Sequence, residues 1–287
     1  MNRHRTLVAS IPAKHTLRAV IGPAEHAAYV RTLHPAATLA TTAGTVLVHQ
    51  RSALNRILGQ LPFQELDRWA SATLHLIRHR DLPITLCSAF GPGSPATALV
   101  VEQLNALGTP AVISIGTAAA LRPDLAPGDL VVCDRALRGE GTSPHYLPPG
   151  DFAHPDIRLT AALACAATDH GHPVRRGATW TTDALYRESG AEARLYARRG
   201  IWTADMEAAA LFAVGRHRRL PVAAAFAVAD SLVNRTPRTD HPSTADALEQ
   251  LLSAALDTLA TCAGPASSAA RTRVGPDHEH EREEQRG

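Results

Sequence analysis

The chain has 287 residues, is 45% hydrophobic and only 4% aromatic, and carries a formal charge of +2. Length and apolar content suit a single sizeable α/β domain with a core of Ala, Val, Leu and Ile. The near-neutral balance gives no reason to expect a nucleic-acid partner, and no apolar run nears the ~20 residues of a membrane span.

In chain order, residues 1–16 are polar and basic and read as a flexible N-terminus. Residues 17–22 (LRAVIG) read as a first strand ending in a Gly22-Pro23 turn, and helical spacing begins at Glu25. Residues 45–50 suit a strand. Residues 62–78 have the spacing of a helix, with Pro62 at its first position and Phe63, Leu66, Ala70, Leu74 and Ile77 on one buried face. A strand at 84–89 runs into a Gly/Pro turn, followed by a helix at 96–107. The apolar run 111–115 reads as a buried strand. It opens into a small-residue turn (Gly116 to Ala120), and a Pro127-Gly128-Asp129 corner leads to a strand at 130–133. Beyond a Pro- and His-rich loop (139–155), helices are expected at 159–170, 191–199, 206–217 and 243–260, with strands at 174–182 and 222–229. This alternation implies an α/β fold with a largely parallel sheet. Residues 263–287 cannot bury a core and read as a disordered tail.

Cys87, Cys133, Cys165 and Cys262 show no CxxC or zinc spacing and read as reduced, buried small hydrophobes. The N-terminus lacks the apolar core of a signal peptide, so the expected location is cytoplasmic. There is no Walker loop, no GxGxxG after a strand and no His/Cys cluster, so neither a metal nor an organic cofactor is expected.

Two segments carry a resemblance. One is Ile115-Gly116-Thr117 at a strand end with Gly128-Asp129 downstream; the other is Asp205-Met206-Glu207-Ala208-Ala209-Ala210. Together they resemble the nucleoside phosphorylase family, which reads (I/V)G(S/T)xGA…GD and (V/D)MEAAA at these sites. Residues 140–148 (EGTSPHYLP) and 180–188 (WTTDALYRE) look like segments of a uridine-phosphorylase-like branch. The resemblance spans about 17–262 and implies one domain with a twisted, partly barrel-like mixed β-sheet flanked by helices. It also implies a homo-oligomer, either a dimer or a trimer of dimers, acting on a small-molecule nucleoside.

The resemblance further implies roles. Met206 packs under the ribose and Glu207 accepts its hydroxyls, a task for which a carboxylate has the acceptor capacity; an acid there also suits a helix start. Asp230, ending the strand at 222–229, matches the Asp with which purine-cleaving members protonate the leaving base. An Asp after a strand equally suits a helix cap. Thr182, Tyr186 and Arg187 fall in the base-binding loop, with Leu185 where pyrimidine enzymes offer Phe. His145 and Tyr146 read as either a gate or an interface loop. Residues 233–236 (VNRT) are similar to a uridine-phosphorylase tetrad but displaced, and are set aside as a chance match.

The nucleophile pocket departs from the family pattern. Gly22 and His26 stand where a GDPxR-type turn is expected, with His26 at the Arg, and Ser114 replaces the Arg before Ile115-Gly116-Thr117. Gly22, Gly116, Thr117 and Arg68, the last roughly where a neighbouring subunit lends an arginine, remain for phosphate. His26 is the alternative base for water. Three functions follow: purine-leaning phosphorolysis with inorganic phosphate as co-substrate, a phosphate-independent nucleosidase, and a non-catalytic nucleoside-binding protein.

Overall fold

The computed structural model describes residues 11, 13–171, 173–235 and 240–263. Ten strands are found among these residues: β1 (Thr45–Val48), β2 (Phe63–Glu65), β3 (Thr73–His79), β4 (Leu82–Ser88), β5 (Val112–Ala120), β6 (Leu130–Gly139), β7 (Phe152–Ala153), β8 (Val174–Thr182), β9 (Ile201–Asp205) and β10 (Val222–Ser231). The helices are α1 (Pro23–Leu33), α2 (Arg51–Leu58), α3 (Ser94–Ala106), α4 (Ile157–Asp169), α5 (Gly190–Arg198), α6 (Ala208–Arg218) and α7 (Pro242–Cys262).

The strands form one mixed sheet in the order β10-β6-β8-β9-β5-β1-β4-β3-β2, and β10 also pairs with β5. That last pairing closes β5, β10, β6, β8 and β9 into a ring, with β1 to β4 as an open wing. The expected α/β fold with a twisted, partly barrel-like mixed sheet is therefore the fold observed. Strand β5 lies at the junction, parallel to β1 and β10 and antiparallel to β9. Its small residues make this possible. The expected turn at Gly116 to Ala120 is instead the second half of β5, where Ala119 pairs with both Ala204 and Asp230.

Alternation along the strands sorts the core into two faces. On β10, Val222, Ala224 and Phe226 face the cluster beneath α3 and α6, whereas Ala223, Ala225 and Ala227 face the cluster beneath α7 and α4. Helix α7 contributes Leu248, Leu251, Leu252, Leu256 and Leu259, all buried at helical spacing, each worth roughly 1.5–3 kcal/mol of transfer free energy. Helix α6 is buried on all sides from Ala208 to Gly215, as an Ala-rich central helix must be.

Two further expected elements differ. Residues 17–22 are irregular and exposed, with Val20 98% accessible, so the first strand is β1. The run finds no neighbouring strand to take its backbone groups, whereas β1 slots between β4 and β5. Residues 62–78 form no helix: β2 pairs antiparallel with β3, setting Phe63 opposite Ile77, and Arg68 in the connection has φ +62°. Period-3.6 spacing there coincided with two strand faces, and tertiary pairing decided between them.

The cysteines are unpaired; Cys87 and Cys133 are buried, but Cys165 on α4 is exposed and Cys262 half-buried, which corrects the expectation of four buried thiols. The expected tail, from residue 264 onward, and residues 1–10 of the expected N-terminal arm lie outside the described residues. Among the described residues no helix is long and apolar enough to cross a membrane.

Candidate active site

The C-terminal ends of β1, β4, β5 and β10 and the β9–α6 turn enclose a cavity of about 490 Å³. Strand ends of an α/β sheet are where such clefts form, since helix starts and loops converge there. Met206, Glu207, Asp230, Ser114, Gly116 and Thr117 all line it. It has three chemically distinct corners.

The first is a buried acidic pair. Asp205, 5% exposed, accepts bonds from Thr181 Oγ1 at 2.7 Å, Thr179 Oγ1 at 3.1 Å and the backbone N–H groups of Glu207 at 2.8 Å and Ala208 at 2.6 Å. It thus satisfies the first free amides of α6. Burial, then the charge of Glu207, pushes its carboxyl up to about 6 against these donors. Burial likewise raises the Glu207 carboxyl, while the Gly93 N–H, donating to Oε1 at 2.7 Å, opposes it. Gly93 presents that N–H from φ +90°, a conformation glycine adopts freely. Ser94 Oγ donates to the Met206 carbonyl at 2.8 Å, fixing the same turn from α3.

The second corner is more open. Asp230 follows a β-bulge in β10, the register shifting between Val228 and Asp230, which re-aims its side chain. Arg235 Nη1 donates to Asp230 Oδ2 at 2.5 Å. Glu188 lines the cavity beside Asp230, and burial, then the charge of Asp230, pushes its carboxyl up to about 7.

The third corner is uncharged in its interior, with Arg51 at the rim. His49 Nε2 shares a hydrogen bond with Ser114 Oγ at 2.9 Å, and its ring meets Phe90 edge-on at 5.0 Å. Burial pushes the imidazole down to about 4, with Asp205 opposing, so it is neutral at pH 7. Gln50 Nε2 donates to Thr117 Oγ1 at 3.0 Å, leaving Gln50 Oε1 buried without a partner. Arg51, exposed at the rim, is the cation that β1 and its turn supply.

The other expected site residues lie outside this cavity. The Gly22 N–H bonds Glu25 Oε1 at 3.0 Å, and His26 Nε2 bonds the Trp69 carbonyl at 3.0 Å on α1. Because residues 17–22 are not the first strand, the turn after it is His49-Gln50-Arg51, and Gly22 and His26 are removed from the nucleophile corner. Arg68 is exposed on the β2–β3 connection, away from the cavity of its own chain. Thr182 is buried and accepts the Ala184 N–H at 3.3 Å, whereas Tyr186 is 96% exposed and Arg187 points to solvent. The turn at 185–187 directs Leu185 and Glu188 inward instead. Tyr146 packs edge-on against His217 at 5.5 Å rather than gating the cavity.

His49, Gln50, Glu188 and Asp205 were not anticipated. The signal for the first two was two polar residues directly after the strand TVLV; for Asp205 it was adjacency to Met206-Glu207. Among the described residues, no group of three or more His, Cys, Asp or Glu side chains is placed to hold a metal ion.

A sequence profile described as the Phosphorylase superfamily matches residues 48–263. The chain belongs to this superfamily. Its match begins at the end of β1, one residue before His49, and so takes in every corner of the cavity. The relatives agree with the nucleoside phosphorylase resemblance. A guanosine phosphorylase of Halorubrum lacusprofundi is 34% identical over 150 residues, covering 52% of this chain and 62% of the relative. A uridine phosphorylase of Treponema pallidum is 34% identical over 166 residues, covering 54% and 64%. The chain therefore spans less than two thirds of either relative. Among solved structures, uridine phosphorylase of Vibrio fischeri superposes with a TM-score of 0.69 at 25% identity, covering 77% of this chain and 93% of the other. Purine nucleoside phosphorylase of Toxoplasma gondii superposes with a TM-score of 0.69 at 22% identity, covering 78% and 92%, a likeness of fold.

Proposed function

We propose that this protein cleaves the N-glycosidic bond of a nucleoside by phosphorolysis, releasing free base and pentose 1-phosphate, with a purine-type base preferred. One observation carries the reading: Glu207 and Asp230, from different elements, line a single cavity. Cleavage passes through an oxocarbenium-like sugar. The Met206–Glu207 turn binds the ribose from below, with Glu207 accepting its hydroxyls and offsetting the developing positive charge. The Asp230–Glu188 corner receives the departing base, and an acid there supports a purine, whose ring nitrogen needs a proton. Both guanosine and uridine phosphorylases occur among the relatives, so base preference rests on this corner.

Inorganic phosphate is the proposed co-substrate, held by Ser114, Thr117 and the β5 backbone, with no organic cofactor. A homo-oligomer would let Arg68 of one copy reach the cavity of another. The exposed apolar side chains of Leu17, Val20 and Ile21 support such an association.

A second reading, hydrolysis, is favoured by the uncharged interior of the nucleophile corner, whose cation, Arg51, is exposed at the rim. Neutral His49 and the unpartnered Gln50 Oε1 suit water better than a dianion, which gains most from charged donors. The decisive experiment incubates the protein with inosine, guanosine and uridine, with and without phosphate, and separates the products by chromatography. Base release only with phosphate, together with pentose 1-phosphate, supports phosphorolysis. Equal release without phosphate selects hydrolysis, and binding without turnover overturns both.

A further inference from the structure

We propose that Glu188, and not Asp230, is the acid that protonates the departing base. The inference rests on the N-glycosidic reading and assigns a residue within it. Both carboxyls line the cavity, but their surroundings differ. Asp230 Oδ2 accepts a hydrogen bond from Arg235 Nη1 at 2.5 Å, so this carboxyl is already engaged as an acceptor by a charged donor. The Glu188 carboxyl has no hydrogen bond or ion pair to any described residue. It is half-buried beside Leu185, and its backbone is held between the turn at 185–187 and the capping box of Ser189 and Glu192 that starts α5.

The charges facing Glu188 are Asp230 from β10, Arg235 beyond it and Glu192 from α5. Burial and the two acids outweigh Arg235 and keep a proton on Glu188 to about pH 7. The unpartnered carboxyl of Glu188 is thus free to donate, while that of Asp230 is occupied by Arg235.

The step balances as follows. As the C1′–N bond breaks, its electron pair passes to the base, and the Glu188 O–H delivers its proton to a ring nitrogen. Neutral base and a Glu188 carboxylate result. A phosphate oxygen bonds C1′, and the proton of the hydrogen phosphate dianion returns to Glu188 through solvent. Asp230, held by Arg235, orients the base.

The test compares the full-length wild type, Glu188→Gln and Asp230→Asn on inosine and on 7-methylguanosine, whose cationic base leaves without protonation, with phosphate present. Glu188→Gln is expected to lose about 100-fold or more in kcat on inosine, the range of a missing general acid. It should keep 7-methylguanosine turnover near the wild-type rate, which also shows that the variant is folded. The wild-type rate on inosine should fall as pH rises through about 7, a limb absent with 7-methylguanosine. Asp230→Asn should impair both substrates. Equal loss of both substrates in Glu188→Gln, undiminished inosine cleavage, or rescue by 7-methylguanosine in Asp230→Asn instead would overturn the assignment. Wild type that cleaves uridine but neither purine overturns the purine reading and this assignment with it. Wild type that cleaves purines while Glu188→Gln fails the comparison overturns only the assignment.

Discussion

Asp205 accepts the backbone N–H of Glu207 at 2.8 Å, so the acid assigned to the ribose is positioned by a second acid that solvent barely reaches. The same carboxyl holds the hydroxyls of Thr179 and Thr181 and the amide of Ala208, linking β8, β9 and α6 at one point. Asp205→Ala strands two amides and two hydroxyls. At about 1–3 kcal/mol for each buried group left unmade, a large fall in melting temperature is expected. Asp205→Asn keeps the shape and should retain the fold while raising KM for the nucleoside about tenfold, because Glu207 loses its fixed backbone. Unchanged KM in a folded Asn variant would contradict the positioning role.

Glu207→Gln removes a charged acceptor. Two hydrogen bonds to a charged group are worth about 3 kcal/mol or more together, so kcat/KM should fall by roughly 100-fold or more. The fold should hold, since burial already disfavours the charge and Gln retains an oxygen for the Gly93 N–H. Gly93→Ala should reproduce part of this loss, because φ +90° costs an L-residue about 1–2 kcal/mol or more. Steady-state kinetics and thermal unfolding of both variants test the pair.

The buried imidazole of His49 makes a pH-dependent prediction. Its folded value, about 4, lies below the ordinary 6.5, so between these the unfolded chain binds a proton that the folded chain does not. That cost is absent above pH 6.5, grows as pH falls, and saturates below about 4 at roughly 3 kcal/mol. His49→Gln should therefore gain stability relative to wild type on acidification through this window. Denaturant unfolding at pH 4.5 and 7.5 measures the difference, and a pH-independent gap between the two proteins would refute it.

Gly116→Ala tests the uncharged corner from the strand beneath it. An added Cβ would lie 3.3 Å from His49 Cδ2, so the ring must shift by a few tenths of an ångström and strain its bond to Ser114. Overpacking of this kind costs about 1–3 kcal/mol. A drop in kcat larger than the drop in stability explains is expected; an unaltered rate would separate His49 from the chemistry.

Much of the frame was legible along the chain. Strand β8 and helix α5 were anticipated to within one residue, because each is set by residues close along the chain. The segment 62–78 was not, since Phe63, Leu74 and Ile77, at helical spacing with Leu66 and Ala70, also fit β2 and β3 with the other two in the connection, and only pairing with β4 decides. At the site, Glu207 and Asp230 could be named from their motifs. Glu188 could not be preferred to Tyr186 or Arg187, because one short turn sets which of four consecutive side chains faces inward.

By itself the sequence determined the two motif ends and the apolar strands behind them, since both depend on neighbours close along the chain. Only the tertiary structure joined β10 to β5 and brought the turn after β1 to Ser114. Those contacts link residues 65 or more positions apart, and the chemistry of each corner depends on partners that no local pattern encodes.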